Sequence, residues 1–141
     1  MPPVYVREMA WDIVFFKTAY GSVPADAFLD SCPGKIGAKI EAVLDSVADH
    51  PPPSFSGGGM WEAMHGKMTG YFEVRVQGPG REQFRLFCVL DGDGPGLPGP
   101  AIVALDGGRK PFMTTFSDSE YAKIRRLGAA YLASSPRSIA T

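Results

Sequence analysis

The pattern of apolar and polar positions assigns most elements of this chain. Trp11 to Lys17 is a β-branched and aromatic run and predicts a strand. Val23 to Asp30 predicts a helix, with Ser22 and Pro24 placed as its start and Pro33-Gly34 as its stop. Between Lys35 and Asp49, Ile36, Ile40, Val43, Leu44 and Val47 recur at helical spacing. The two segments together predict a helical hairpin. Pro51 to Gly59 carries no core pattern and reads as a loop.

Alternation returns at Tyr71–Val76, which predicts a second strand. A third follows at Gln83–Leu90, across a short turn at Gly78-Pro79-Gly80. Asp91 to Pro100 is a Gly/Pro loop, and Ala101–Leu105 reads as a buried strand. Short links between consecutive strands predict an antiparallel meander. Ser117-Asp-Ser-Glu120 matches a capping box, so a last helix starts there, with Tyr121, Ile124, Leu127 and Tyr131 on one face. The order is strand, two helices, three strands, helix.

Composition narrows the class. With 141 residues, 45% hydrophobic and 21% charged, the chain is expected to be one globular domain over residues 1–141. No apolar run approaches the roughly 20 residues of a membrane span. The opening Met1-Pro-Pro-Val-Tyr-Val-Arg-Glu lacks the order of a signal peptide, which sets the expectation of a cytoplasmic protein. Cys32 and Cys88 are far apart and make neither a disulfide framework nor a metal site alone, and Cys88 reads as a small core residue.

The net charge of −1 argues against nucleic acid as a partner when taken as a sum. Its distribution argues differently. Residues 1–60 carry four basic and seven acidic side chains, whereas residues 107–141 carry six basic and two acidic. A local anion-binding face is therefore compatible with the acidic total. Its candidates begin with Arg75 and Arg85, each flanked by apolar neighbours on strands whose antiparallel pairing would bring them to one sheet face. Arg holds phosphate oxygens bidentately and stays charged at any working pH. Each also reads as a sheet charge snorkelling to solvent. Glu73, two residues before Arg75, reads as a base or more simply as a partner for Arg75. His65 and Lys67 precede the second strand, where a mobile cation suits acid–base work. With His65 and His50 the only histidines, a His-rich metal site is not expected.

Three segments carry a family resemblance: Lys67-Met-Thr-Gly-Tyr-Phe-Glu-Val-Arg75, then Phe84-Arg85-Leu-Phe, then Ala104-Leu-Asp-Gly-Gly-Arg109-Lys110. In this order, after a helical hairpin, they resemble the RelE/HigB-like toxins of bacterial and phage toxin–antitoxin systems. The resemblance runs from about Trp11 to Tyr131 in element order. It implies a compact α/β (α+β) domain: an N-terminal strand and helical hairpin packed on a largely antiparallel sheet, with a C-terminal helix. It also implies cleavage of mRNA on the ribosome without a metal or other cofactor.

Site roles follow from the same resemblance. The Arg85 position is where a phosphate-stabilising Arg lies. Arg109 and Lys110 match the family's basic segment, and Tyr121 matches a C-terminal Tyr that stacks on a base or assists proton transfer. Tyr121 reads equally as core. Lys67, His65, Arg109, Lys123 and Arg126 are the expected RNA contacts, with Arg85, Arg75, Lys110 and Tyr121 at the chemistry. The implied partners are mRNA and a cognate antitoxin with a helix-turn-helix domain, wrapping the hairpin faces that bear Phe28, Leu29, Ile40 and Leu44. Two alternatives share the fold: a ParE-like toxin that inhibits gyrase by binding, and an interaction module without catalysis. The retained arginines speak for the nuclease, and the acidic total speaks for the module.

Overall fold

The alternation in residues 71–110 folds as one sheet because each strand finds its next neighbour across a short link. A computed structural model describes residues 10–50 and 59–141. Its strands are β1 (Asp12–Phe15), β2 (Trp61–Ala63), β3 (Tyr71–Gln77), β4 (Gln83–Asp91) and β5 (Ala101–Lys110). Its helices are α1 (Pro24–Ser31), α2 (Ile36–Asp49) and α3 (Asp118–Ala133). The sheet order is β1-β5-β4-β3-β2, with β1 parallel to β5 and every other pair antiparallel. The expected mixed architecture holds: strand, helical hairpin, largely antiparallel sheet, C-terminal helix.

Period-two alternation gives the sheet two apolar faces, and a helical layer covers each. On one face α1 and α2 bury Phe28, Leu29, Ile40, Leu44 and Val47 against Val74, Phe84, Leu86 and Ile102. On the other, Ile124 and Tyr131 of α3 pack on Phe16, Phe87, Val103 and Leu105. Each large side chain so buried contributes about 1.5–3 kcal/mol. Helix α1 approaches closely because residue 107 is glycine: a Cβ there would lie 2.1 Å from Phe28 Cδ2.

Several expectations need correction. Phe28, Leu29, Ile40 and Leu44 do not form a surplus face awaiting an antitoxin; all four are buried against the sheet. Ser22 does not cap α1. Its hydroxyl turns back to Thr18 Oγ1 at 2.6 Å, Val23 is the N-cap, and Pro24 takes the first turn, where its missing N–H costs nothing. Strand β2 was not anticipated; its three residues are too short to alternate visibly. Strand β5 runs on to Lys110 instead of ending at Leu105, because Gly107 and Gly108 continue the ladder with Leu86 and Arg85. The loop expected at 51–59 lies, except for Gly59, outside the described residues. At α3 the capping box is present as expected.

The chain past α3 returns to the sheet. Lys17 N–H donates to the Ser138 carbonyl (3.1 Å) and Ala140 N–H to the Phe15 carbonyl (2.8 Å), with an antiparallel bridge at Phe16–Ile139. The free edge of β1 is thereby covered, the usual remedy for an exposed strand edge. Arg137 and Tyr131 tie this return to β4: Nε and the phenol donate to Asp91 Oδ2 at 2.9 and 2.7 Å. No helix among the described residues is long and apolar enough to cross a membrane.

Candidate functional site

Strand register places Arg75 directly opposite Arg85, on the α3 face of the sheet. The alternation of β3 and β4 dictates this pairing, and Gly108 completes the row on β5. One row further, Gln77, Gln83 and Lys110 share the same face. In the other direction lie Glu73, Phe87 and Asp106, with Glu62 of β2 opposite Glu73. Gly108 has a packing role as well. A Cβ there would come 2.8 Å from Phe116 Cε1, so glycine lets that ring lie against β5 beside the arginines.

Arg85 is only 4% exposed. Its Nη1 donates to the Phe84 carbonyl at 3.0 Å and its Nη2 to Gln83 Oε1 at 3.1 Å. Gln83 is held in turn, because its Nε2 donates to the Arg81 carbonyl at 2.7 Å. The expected phosphate-facing Arg85 is thus corrected to a buried, fixed cation. On a central strand with α3 packed on this face, alternation alone does not bring a side chain to solvent. Arg75, on the flanking strand, is the exposed member of the pair, with 43% of its side chain accessible.

Glu73 lies between them. Its carboxylate is 3.8 Å from Arg75 Nε and 3.9 Å from Arg85 Nε, inside ion-pair range and beyond hydrogen-bond range. Burial pushes its carboxyl above the ordinary value, and Glu62 adds to the push; Arg85, Arg75 and Lys110 offset only part of it. Burial likewise pulls Arg85 and Lys110 down, with cationic neighbours contributing to both. Tyr121, at the start of α3, is half-buried and edge-on to Phe87 and Phe116 at 6.1 and 5.9 Å. Burial first, then Glu73, raises its phenol and keeps the hydroxyl protonated.

An open groove of about 610 Å³ adjoins this cluster. Glu73, Arg75 and Tyr121 form part of its wall, and Lys67, His65 and Met68 from the β2–β3 link form its far side. The expected contacts Lys67 and His65 are therefore brought to the site. Arg125, Asp118 and Glu62 also line it and were not anticipated. Arg125 and Asp118 had a readable signal: on a helix, positions three before and four after Tyr121 share its flank. Glu62 had none, because it rides on β2.

The remaining expected contacts go elsewhere. Arg109 projects to the opposite, hairpin face, over the Phe84 ring, and donates to both carboxylate oxygens of Glu82 at 2.6 and 2.7 Å. A β-bulge opposite Phe87 and Cys88 explains this: one extra residue in β5 reverses the facing of everything after it. The same bulge puts Lys110 on the arginine face, where its Nζ donates to the Thr114 carbonyl at 2.7 Å. Lys123 is exposed on the other flank of α3, 3.3 Å from Asp106. Arg126, half a turn from buried Ile124, faces away from the sheet. Among the described residues no three His, Cys, Asp or Glu side chains converge as a metal-binding group.

Comparisons of this chain with protein-family models, curated proteins and solved structures find no match.

Proposed function

We propose that this protein is an endoribonuclease of the toxin–antitoxin type, cutting mRNA in the cytoplasm by internal transphosphorylation. The observation that supports it most is Glu73, suspended between two guanidiniums that both stop beyond hydrogen-bond range, at the wall of a groove. A carboxylate with raised proton affinity is suited to take the 2′-hydroxyl proton as general base. The 2′-oxygen then attacks the adjacent phosphorus. Arg75, exposed beside Glu73, binds the phosphate oxygens and stabilises the phosphorane. Buried Arg85 acts through position and field: it keeps Glu73 in place and lowers the cost of its ionisation. Tyr121, whose phenol burial keeps protonated, gives the 5′-oxygen leaving group its proton. The ring closes as a 2′,3′-cyclic phosphate.

Lys67, His65 and Arg125 are the groove cations for flanking phosphates. Their acidic counterparts Glu62 and Asp118 balance the groove in charge, which reduces the salt-dependent, sequence-independent part of RNA binding. A cognate antitoxin with a helix-turn-helix domain completes the proposed system. Its seat is not the buried hairpin face.

The test is to induce the protein and map mRNA 5′ ends. New ends that disappear with Glu73→Gln are expected. Arrested cells with intact mRNA would remove the nuclease reading and favour the alternative of a binding toxin of the same fold, for which the burial of Arg85 speaks.

A further inference from the structure

Beyond the arginine row lies a surface built from two turns. The β3–β4 turn (Pro79–Arg81) and the segment after β5 meet where the Arg81 guanidinium carbon stands 4.9 Å from the Phe112 ring centre. Phe112 is 44% exposed and its neighbour Met113 is 87% exposed. Two large apolar side chains adjacent in the chain are thus open together, which makes a local apolar surface instead of a lone exposed residue. The backbone agrees. Among the described residues Arg81 and Met113 are the non-glycine residues with left-handed φ, at 60° and 61°, and such strain collects at ligand clamps.

This surface is continuous with the site. Gln83 joins Arg85 to Arg81 by hydrogen bonds on either side. Lys110 shares the Gln83 row and holds Thr114, which folds the 111–114 turn back toward the arginine face. The Gln83–Lys110 row is two residues, about 7 Å, along the strands from the Arg75–Arg85 row. An aromatic face beside Arg and Lys, beyond the Gln83–Lys110 row from a phosphate site, has the chemistry that takes an unpaired base.

We propose that Phe112 and Met113, clamped by Arg81, form a stacking seat for an unpaired nucleobase of a strand whose phosphate is held at Arg75. The seat rests on the RNA-cleaving reading and names how that site would hold its substrate. Arg81 supports the ring from one side and Met113 supplies a soft, adaptable edge. Stacking is tolerant of base identity, so the seat adds affinity and register without fixing a sequence.

The probe is a short single-stranded 2′-O-methyl RNA, which cannot be cleaved, compared with the same strand carrying abasic sites. Binding of each to the full chain is followed by fluorescence anisotropy. The base-bearing strand should bind about tenfold or more tightly than the abasic one, the magnitude of one base–aromatic stack. Phe112→Ala should erase that preference, Phe112→Trp should keep it, and Arg75→Ala should weaken both strands alike. An undiminished preference in Phe112→Ala, or no binding of either strand, overturns the seat. If mRNA is cut in cells while binding ignores Phe112, the seat falls and the nuclease reading stands. If binding depends on Phe112 while mRNA stays intact, the seat stands and the nuclease reading falls. Loss of a co-expressed protein partner by Phe112→Ala, with RNA binding unchanged, would make the patch a protein contact and overturn the proposal.

Discussion

Two arginine–carboxylate clusters sit toward opposite ends of β4, and they are built differently. At Asp91 a single oxygen receives both Tyr131 and Arg137 at 2.7 and 2.9 Å. Burial pushes that carboxyl up, but the two hydrogen bonds and the Arg137 charge outweigh it, and it titrates below the ordinary range. At Glu73 two guanidiniums stop at 3.8 and 3.9 Å, and the carboxyl titrates above the ordinary range. Arg137 spends its donors on Asp91 and on the carbonyls of Leu132 and Ser134, closing the α3 terminus. Arg85 spends its donors on its own strand. One carboxylate is saturated and holds the fold; the other is left with lone pairs to offer. Charge alone does not separate a structural clasp from a reactive site. Hydrogen-bond saturation does.

Breaking each cluster should therefore give opposite results. Glu73→Gln should lower RNA cleavage by about 10²–10⁴-fold, the usual worth of a general base, with the melting temperature unchanged or raised. Primer extension and thermal melting read the two effects. Asp91→Ala should do the reverse, costing about 3 kcal/mol in denaturant unfolding while cleavage per folded molecule is preserved. Arg85→Ala should lose stability and cleavage together, whereas Arg75→Ala, on the exposed side, should lose cleavage with little loss of stability.

The pH dependence sharpens the contrast. Glu73 binds its proton more tightly folded than unfolded, so its contribution to stability falls as pH rises from about the ordinary 4.5 through the raised value. Asp91 is the opposite: its contribution is present above the ordinary 3.8 and is lost as pH falls through its lowered value. Glu73→Gln and Asp91→Asn should each flatten its own limb in urea titrations. Cleavage should rise with pH above the ordinary carboxylate range, and Glu62→Gln should move that limb downward. The smallest effect belongs to the stacking turn. Met113→Gly should relieve its left-handed backbone and stabilise by on the order of 1 kcal/mol.

How far the site was legible follows from the same geometry. Alternation is enough to place Arg75 opposite Arg85, because a seven-residue and a nine-residue strand joined by a tight turn have little freedom of register. It cannot say that Arg85 is covered, since Phe116 and Tyr121, which pack on this face against Phe87, come from more than thirty residues later. Arg109 and Lys110 look alike in sequence, and only the bulge decides which one reaches the site. A bulge leaves no compositional mark here beyond the neighbouring glycines. The hairpin's apolar stripe is legible in the sequence, but the width of the surface it covers is not. The sheet it covers is five strands wide, two more than the meander alone supplies.

The covered edge of β1 also sets an order of events during synthesis. Strand β1 is made early, yet its neighbours are residues 101–104 on one side and the 138–140 segment on the other. The meander of β3, β4 and β5 pairs locally and needs nothing from it. A chain emerging from a ribosome therefore holds β1 unpaired until β5 completes the arginine row, and leaves the outer edge of β1 open until residues 138–140 follow.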